Sequence, residues 1–176
     1  MGDNISAFSV CTRANALADG MGYPDISALC AQYTGLVQHS LCNLSEALVC
    51  YEKAFSLCIP SLKYMVATMT GVLLMEMGQQ KSAADYFSIA TDLCLDLLKV
   101  TSCLHSAQYS LGLAYIGCGK CVEAVSSYRK ALGICSERGI IAEAMIDLEL
   151  LERATPGTSA IMAVHALLEE AEERNA

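Results

Sequence analysis

Three times along this chain a pair of alanines seven residues apart brackets an aromatic ring: Ala47, Tyr51 and Ala54; Ala83, Phe87 and Ala90; Ala124, Tyr128 and Ala131. A spacing of four and then three puts the members of each set on one helical face. The small residues let a second helix approach closely, and the ring fills the space between the two. A fainter copy opens the chain as Ala7, Cys11 and Ala14, and a degenerate one closes it as Ala160, Val164 and Leu167. Twelve residues before the first alanine stands Gly35, Gly71, Gly112 or, in the last copy, Leu148. A glycine inside a helix costs about 1 kcal/mol against alanine, so its presence requires a packing reason, and a close partner helix supplies one. The twelve-residue offset is constant, whereas successive first alanines lie 40, 36, 41 and 36 residues apart. The variation therefore falls in the connections from one helical pair to the next.

Turn chemistry divides the chain in the same places. Gly20, Gly22 and Pro24 separate the first two helices, with Asp25 as a plausible N-cap. Asn43 and Ser45 divide the first pair, and Pro60 ends it with Ser61 available to cap the next helix. Gly78 and Ser82 divide the second pair, and Gly117 and Gly119 the third. Gly139 ends that third pair, and Pro156 and Gly157 divide the last. Nine helices are expected near 4–19, 26–40, 45–58, 61–77, 82–99, 103–117, 121–137, 140–154 and 159–174. No period-two alternation lasts long enough for a strand. The expected fold is all-α, an α-α superhelix of about four helical hairpins plus a leading helix. Residues 1–24 form the leading helix and linker. Residues 25–176 form the repeat domain, with pairs near 26–58, 61–99, 103–137 and 140–174.

The pattern resembles the tetratricopeptide repeat, W-x2-L-G-x2-Y followed by A-x3-F and a proline. Leu111, Gly112, Tyr115, Ala124 and Tyr128 match it in the third copy; Gly71, Ala83 and Phe87 in the second; Gly35, Ala47 and Tyr51 in the first, with Pro60 one residue late. The tryptophan is absent throughout, its place taken by Ala31, Ala67, Gln108 and Ala144. The period exceeds the usual 34 residues and looks like the long-period variety of kinesin light chains and spindle-orientation adaptors. The resemblance implies a right-handed superhelical stack whose concave face, lined by the first helix of each pair, holds a ligand. HEAT and armadillo units have a similar period but lack the Gly/Ala pattern seen here.

That resemblance maps a groove onto Gln32, Tyr33, Leu36 and His39; onto Thr68, Met69, Val72 and Met75; and onto Tyr109, Ser110, Leu113 and Ile116. Tyr33, Leu36, Met69, Val72, Met75, Tyr109, Leu113 and Ile116 are its apolar partner-binding candidates. Methionine adapts to varied apolar ligands, and tyrosine adds contact area with a polar tip. The same stripe could equally pack against the chain's own last helix. The carboxylate clamp of chaperone-binding members cannot form, because Thr68, Met69, Val72, Ser110 and Leu113 occupy its places. The repeat-packing set is Gly35, Ala47, Tyr51, Gly71, Ala83, Phe87, Gly112, Tyr115, Ala124 and Tyr128.

Composition narrows the function. Eleven basic residues against nineteen acidic leave a net charge of −8, and the only adjacent basic pair is Arg129 and Lys130. Phosphate neutralisation needs clustered Lys and Arg, so no nucleic-acid partner is expected. No apolar run reaches the 18 or so residues that span a bilayer, and no signal peptide is visible. A cytoplasmic location is expected, and the ten cysteines read as thiols packed like small hydrophobes. Gly2 and Ser6 fit a short myristoylation pattern, against the plainer reading of a frayed end. Glu169, Glu170, Glu172 and Glu173 read as a solvated last turn. Cys118-Gly-Lys-Cys121 is the one C-x-x-C, but it straddles a helix–helix turn with no strand beside it. A zinc site there would need two more ligands, and Cys103 and His105 lie a whole helix away. No nucleophile elbow, P-loop or HExxH motif is present. Neither an enzyme nor a cofactor or metal is expected. The leading expectation is a non-catalytic adaptor or scaffold that binds a partner peptide or helix. The alternatives are a structural subunit of an obligate complex or a homodimer and, more remotely, a thiol-redox or zinc protein through Cys118 and Cys121.

Overall fold

The computed structural model describes residues 2–175, with backbone only at 2–5, 7, 8 and 19. Met1, Ala176 and the side-chain surroundings of Gly2 and Ala7 lie outside the described residues. The described chain is all-α: α1 (Gly2–Met21), α2 (Pro24–Ser40), α3 (Leu44–Leu57), α4 (Lys63–Glu76), α5 (Gln80–Val100), α6 (His105–Gly117), α7 (Cys121–Ile134), α8 (Arg138–Ala154) and α9 (Ser159–Arg174). Helices α2 and α3, α4 and α5, and α6 and α7 form three packed pairs stacked side by side, with α1 laid against α2. This is a TPR-like helical stack.

Each of the three pairs is locked by the glycine-and-ring device. A Cβ placed on Gly35 would lie 2.6 Å from Tyr51 Cδ1; on Gly71, 2.8 Å from Phe87 Cε1; on Gly112, 2.5 Å from Tyr128 Cδ2. No L side chain fits at these distances, so the ring of the second helix sits where the first helix has no side chain. Tyr51, Phe87 and Tyr128 are among the largest fully buried side chains, and Ala47, Ala83 and Ala124 beside them are wholly buried. Phe87 is enclosed twice, because Gly117, the last residue of α6, also leaves room for its ring. Gly117 ends the helix where the spacing expects a divider, and its missing side chain also lets the third pair close onto the second.

The turns inside the pairs are built alike. Asn43 N–H donates to Gln38 O, Gln79 N–H to Leu74 O, and Lys120 N–H to Tyr115 O, at 2.8–2.9 Å. Such a closure needs a left-handed residue just after the helix. Gly78 and Gly119 supply it at φ +75° and +73°, but the first pair uses Cys42 at φ 61°. At the N-termini the expected caps give way. Helix α2 is preceded by Tyr23 and α4 by Leu62, rather than by Asp25 or Ser61, and α2–α9 all begin without a side-chain capping bond. Packing of one apolar face, rather than local capping, sets where these helices start.

The last pair differs. Helix α9 packs on α7 and touches α8, as the next second helix of a stack would. Helix α8, however, lies principally across α4, with further contact to α6. It occupies the face formed by the first helices of the three pairs. Gly139, expected to stop the preceding pair, lies in the first turn of α8 instead, and α7 already ends at Ile134.

Candidate functional site

The face of α2, α4 and α6 is where the sequence places a ligand groove, and most of it is covered. Val72, Leu113, Met69, Ile116 and Tyr109 are all buried, and they belong to one apolar cluster with Ile141, Ala144, Leu148 and Leu151 of α8. Leu36 and Met75 are half-buried against that cluster, while Tyr33 keeps 49% of its surface exposed. The expectation that the stripe could pack on the last helix is corrected in one respect: the covering helix is α8, the penultimate one. Burial of Tyr109 has a further cause. Its ring meets Tyr128 edge-on at 5.5 Å, and its hydroxyl donates toward Cys135 O at 3.5 Å. Burial pushes that phenol up to about 12.

A polar junction anchors the C-terminal end of α8. His39 Nε2–H donates to Glu76 Oε2 at 2.8 Å, and Arg153 donates to the same carboxylate oxygen at 3.2 Å and to His39 O at 2.9 Å. Helices α2, α4 and α8 thus meet on one carboxylate. His39 is fully buried, and burial outweighs Glu76 in holding its imidazole below the usual histidine range. No local spacing could reveal this cluster, because Glu76 lies 37 residues from His39 and Arg153 lies 77 from Glu76.

Between α8 and the stack an open cavity of about 140 Å³ remains. Gln32, Tyr33 and Leu36 come to it from α2, Tyr51 from α3, Met65, Thr68 and Met69 from α4, and Ser110 from α6. Helix α8 closes the remaining side with Glu143, Ile146 and Asp147. The structure therefore brings Tyr33, Leu36 and Met69 of the sequence-mapped groove into one site. It removes Val72, Leu113, Ile116 and Tyr109 from it, and Met75 does not line it. Sequence reasoning missed Tyr51 and Met65, and it missed the whole α8 wall, whose presence depends on where α8 travels. The spacing of Glu143 and Asp147, four apart on one helical face, was the available signal.

The cavity's electrostatics are one-sided. Thr68 Oγ1 donates back to Tyr64 O within its own helix. Gln32 Oε1 and Tyr51 Oη are buried with no hydrogen-bond partner among the described residues. Burial, with the neighbouring charge of Glu143, pushes the Asp147 carboxyl up to about 7. Burial raises the Tyr33 phenol, reinforced by Glu143 and Asp147, and lifts that of Tyr51 well above the usual range, with Asp147 adding to it. Among the described residues no lysine, arginine or histidine lines the cavity.

The remaining chemical candidates stand apart. Cys118 is exposed and Cys121 half-buried, at the ends of a turn whose left-handed residue is Gly119. Burial raises the Cys118 thiol, the opposite of what a reactive thiolate needs. Among the described residues no group of three or more metal-ligating side chains gathers anywhere. No described helix is long and apolar enough to cross a membrane.

No family model matches the chain, and no curated protein matches it. Among solved structures it is similar to a crystal structure of MamA, at 17% identity and a TM-score of 0.44, covering 99% of this chain and 90% of that one. It is also similar to MamA AMB-1 (16%, TM-score 0.44, covering 98% and 97%) and to MamA 41-end from Desulfovibrio magneticus RS-1 (14%, TM-score 0.41, covering 96% of each). By the pairing and stacking of its own helices, the chain is an all-α, TPR-like solenoid.

Proposed function

We propose that the chain is a non-catalytic protein-interaction module whose partner enters at the open cleft beside α8, not along an empty groove. The observation that carries this reading is the occupied face: α8 lies on α4 and α6, with its own apolar residues in the core. A surface that accepts one amphipathic helix is built for the helix-in-groove mode of recognition. What remains accessible is the cleft edge, where Tyr33 and Ile146 expose 49% and 46% of their surface on opposite sides. A partner segment seated there would bury both. Burying a leucine-sized side chain contributes about 1.5–3 kcal/mol, so a few anchors reach micromolar affinity after entropic costs.

The test is cross-linking of the full chain to its captured partner, with the contacts mapped by mass spectrometry. Contacts at Tyr33 and Ile146, lost in Tyr33→Glu and Ile146→Glu variants of unchanged helicity, are expected. Contacts confined to the outer helices α5 and α7 would overturn the reading. Met69 and Leu113, the natural targets from sequence, serve poorly because both are buried and their substitution would also damage the core.

A second reading, a subunit of a homodimer or obligate complex, is favoured by α1. Val10, Leu17 and Met21 are exposed there at spacings of seven and four, which aligns them on one face of the helix. Sedimentation of the pure chain separates the two readings. A monomer supports the adaptor; a stable dimer lost on Leu17→Glu supports the subunit.

A further inference from the structure

We infer that the cavity between α8 and the stack binds a protonated primary amine carried on an alkyl chain. The inference deepens the reading of the open cleft and rests on it only for the source of the amine. Three independent features of the cavity point to this chemistry. Among the described residues its wall carries two carboxylates, Glu143 and Asp147, and no basic residue. Two further polar atoms, Gln32 Oε1 and Tyr51 Oη, belong to lining residues that are 7% and 0% exposed, and neither has a partner among the described residues. A buried acceptor left unmade costs about 1–3 kcal/mol, so native structures seldom leave one without a reason. Gln32 Oε1 and the two carboxylates accept hydrogen bonds, and the Tyr51 hydroxyl accepts as well as donates, so a ligand that brings donors and positive charge suits all four. An ammonium brings three donors and no acceptor. The other half of the wall is Leu36, Met65, Met69 and Ile146, which suits a short alkyl stem. Tyr33, half exposed at the cavity, adds a ring of the kind that attracts cations.

Asp147 provides a readout. Its carboxyl stands at about 7 because burial and Glu143 disfavour the charged form. A bound ammonium reverses that preference, so binding at low pH must first expel a proton. The other titratable groups facing Asp147 are Glu143 on its own helix, Tyr33 from α2, Tyr51 from α3 and Tyr128 from α7. The three phenols are raised, so none titrates between pH 6 and 8. An alkylamine remains protonated over the same window, with a value near that of lysine at about 10.4.

The experiment titrates the full chain with n-butylamine hydrochloride, following backbone amide shifts by NMR. Saturable binding at pH 8 is expected, with shifts grouped at Gln32, Tyr33, Ser110 and Ile146. Affinity should fall about tenfold between pH 8 and pH 6 as Asp147 takes up its proton. Asp147→Asn should weaken binding at pH 8 at least tenfold while leaving the helical spectrum intact. Neutral n-butanol should not bind. N-acetyl-lysine N-methylamide distinguishes the sources: binding of this probe in preference to n-butylamine assigns the site to a partner's lysine, and the reverse preference assigns it to a free amine. The inference is overturned if neither amine saturates, if n-butanol binds as well, or if Asp147→Asn leaves the affinity unchanged. Cleft cross-links without amine binding would sink this inference alone. Amine binding with cross-links elsewhere would sink only the partner-docking reading.

Discussion

The first three helical pairs and the last one obey different rules. In α2/α3, α4/α5 and α6/α7 a glycine faces a buried ring, and the two helices are held in one close register. In α8/α9 the glycine position holds Leu148 and the ring position holds Val164, both wholly buried. A leucine at that place forbids the close approach that the glycine permits. The larger face of α8, with Ile141, Leu148 and Leu151, instead finds its complement on α4 and α6. Helix α9 is left to continue the stack on α7. The degeneracy of the last copy is thus an instruction: without the lock, the first helix of the pair is free to cross the groove and close it.

The largest effects test the lock. Phe87→Ala is expected to destabilise the chain by about 3–5 kcal/mol in urea denaturation, at the top of the range for an aromatic core residue. The ring lies between Gly71 and Gly117, and backbone cannot collapse into the space it leaves. A loss below about 1 kcal/mol would mean that the pairs are not held by their rings.

Leu148→Ala probes the other regime and should cost about 2–4 kcal/mol, since the leucine is fully buried. The two variants should also differ in kind. Amide exchange after Phe87→Ala should rise across α4, α5 and α6 together. After Leu148→Ala it should rise first in α8, leaving α6 and α7 protected. If both variants loosen the whole chain alike, α8 belongs to the stack as fully as any other helix and the contrast fails.

A smaller effect comes from the cavity that α8 encloses. The Asp147 carboxyl stands at about 7, well above its ordinary 3.8. The folded chain therefore holds that proton more tightly than the unfolded chain does. This contribution to stability is complete below about pH 4 and is lost as pH rises through 7. Asp147→Asn should accordingly be more stable than the parent by about 2 kcal/mol at pH 8, after discounting for partial solvent contact, with the gap closing by pH 4. His39 works in the opposite sense. Its imidazole is held below the ordinary range, so its contribution is lost as pH falls below about 6.5. Thermal melts of the parent and Asp147→Asn across pH 4–8 separate the two, because only the Asp147 component disappears in the variant.

Much of the helical order was legible because its signals are local. Spacings of four, three and twelve residues sit within one hairpin, and expected helices such as 26–40 and 159–174 lie within two residues of those observed. Signals weighed one residue at a time fared worse. Asp25 and Ser61 have the right chemistry for caps, yet the helices begin elsewhere. Gly117 does more than mark the end of α6, since it makes room for Phe87, and Gly139 lies inside α8 rather than ending the preceding pair. The site was legible on one wall only. Tyr33, Leu36 and Met69 could be placed on a face by counting along α2 and α4. Glu143, Ile146 and Asp147 reach it only through the path of α8, which a long-range competition between packing surfaces decides. The His39–Glu76–Arg153 junction is non-local for the same reason.

The smallest prediction concerns the turn that departs from the glycine pattern. Seven residues after the marker stand Cys42, Gly78 and Gly119, all left-handed, and Cys42 is the only non-glycine with positive φ among the described residues. Its Cβ crowds the following carbonyl oxygen in that conformation, at a cost of roughly 1–2 kcal/mol. Glycine removes the crowding but loses more freedom on folding, a penalty of roughly 0.5–1 kcal/mol. Cys42→Gly should therefore stabilise the chain by about 0.5–1 kcal/mol. One contact opposes the gain: Arg153 reaches Cys42 Sγ at 3.5 Å, and that guanidinium also serves the junction on Glu76. The contact is exposed and weak, so it should reduce the gain without reversing it. A destabilised Cys42→Gly variant would show that the sulfur helps hold the end of α8, extending the difference between the last pair and the first three to the turn itself.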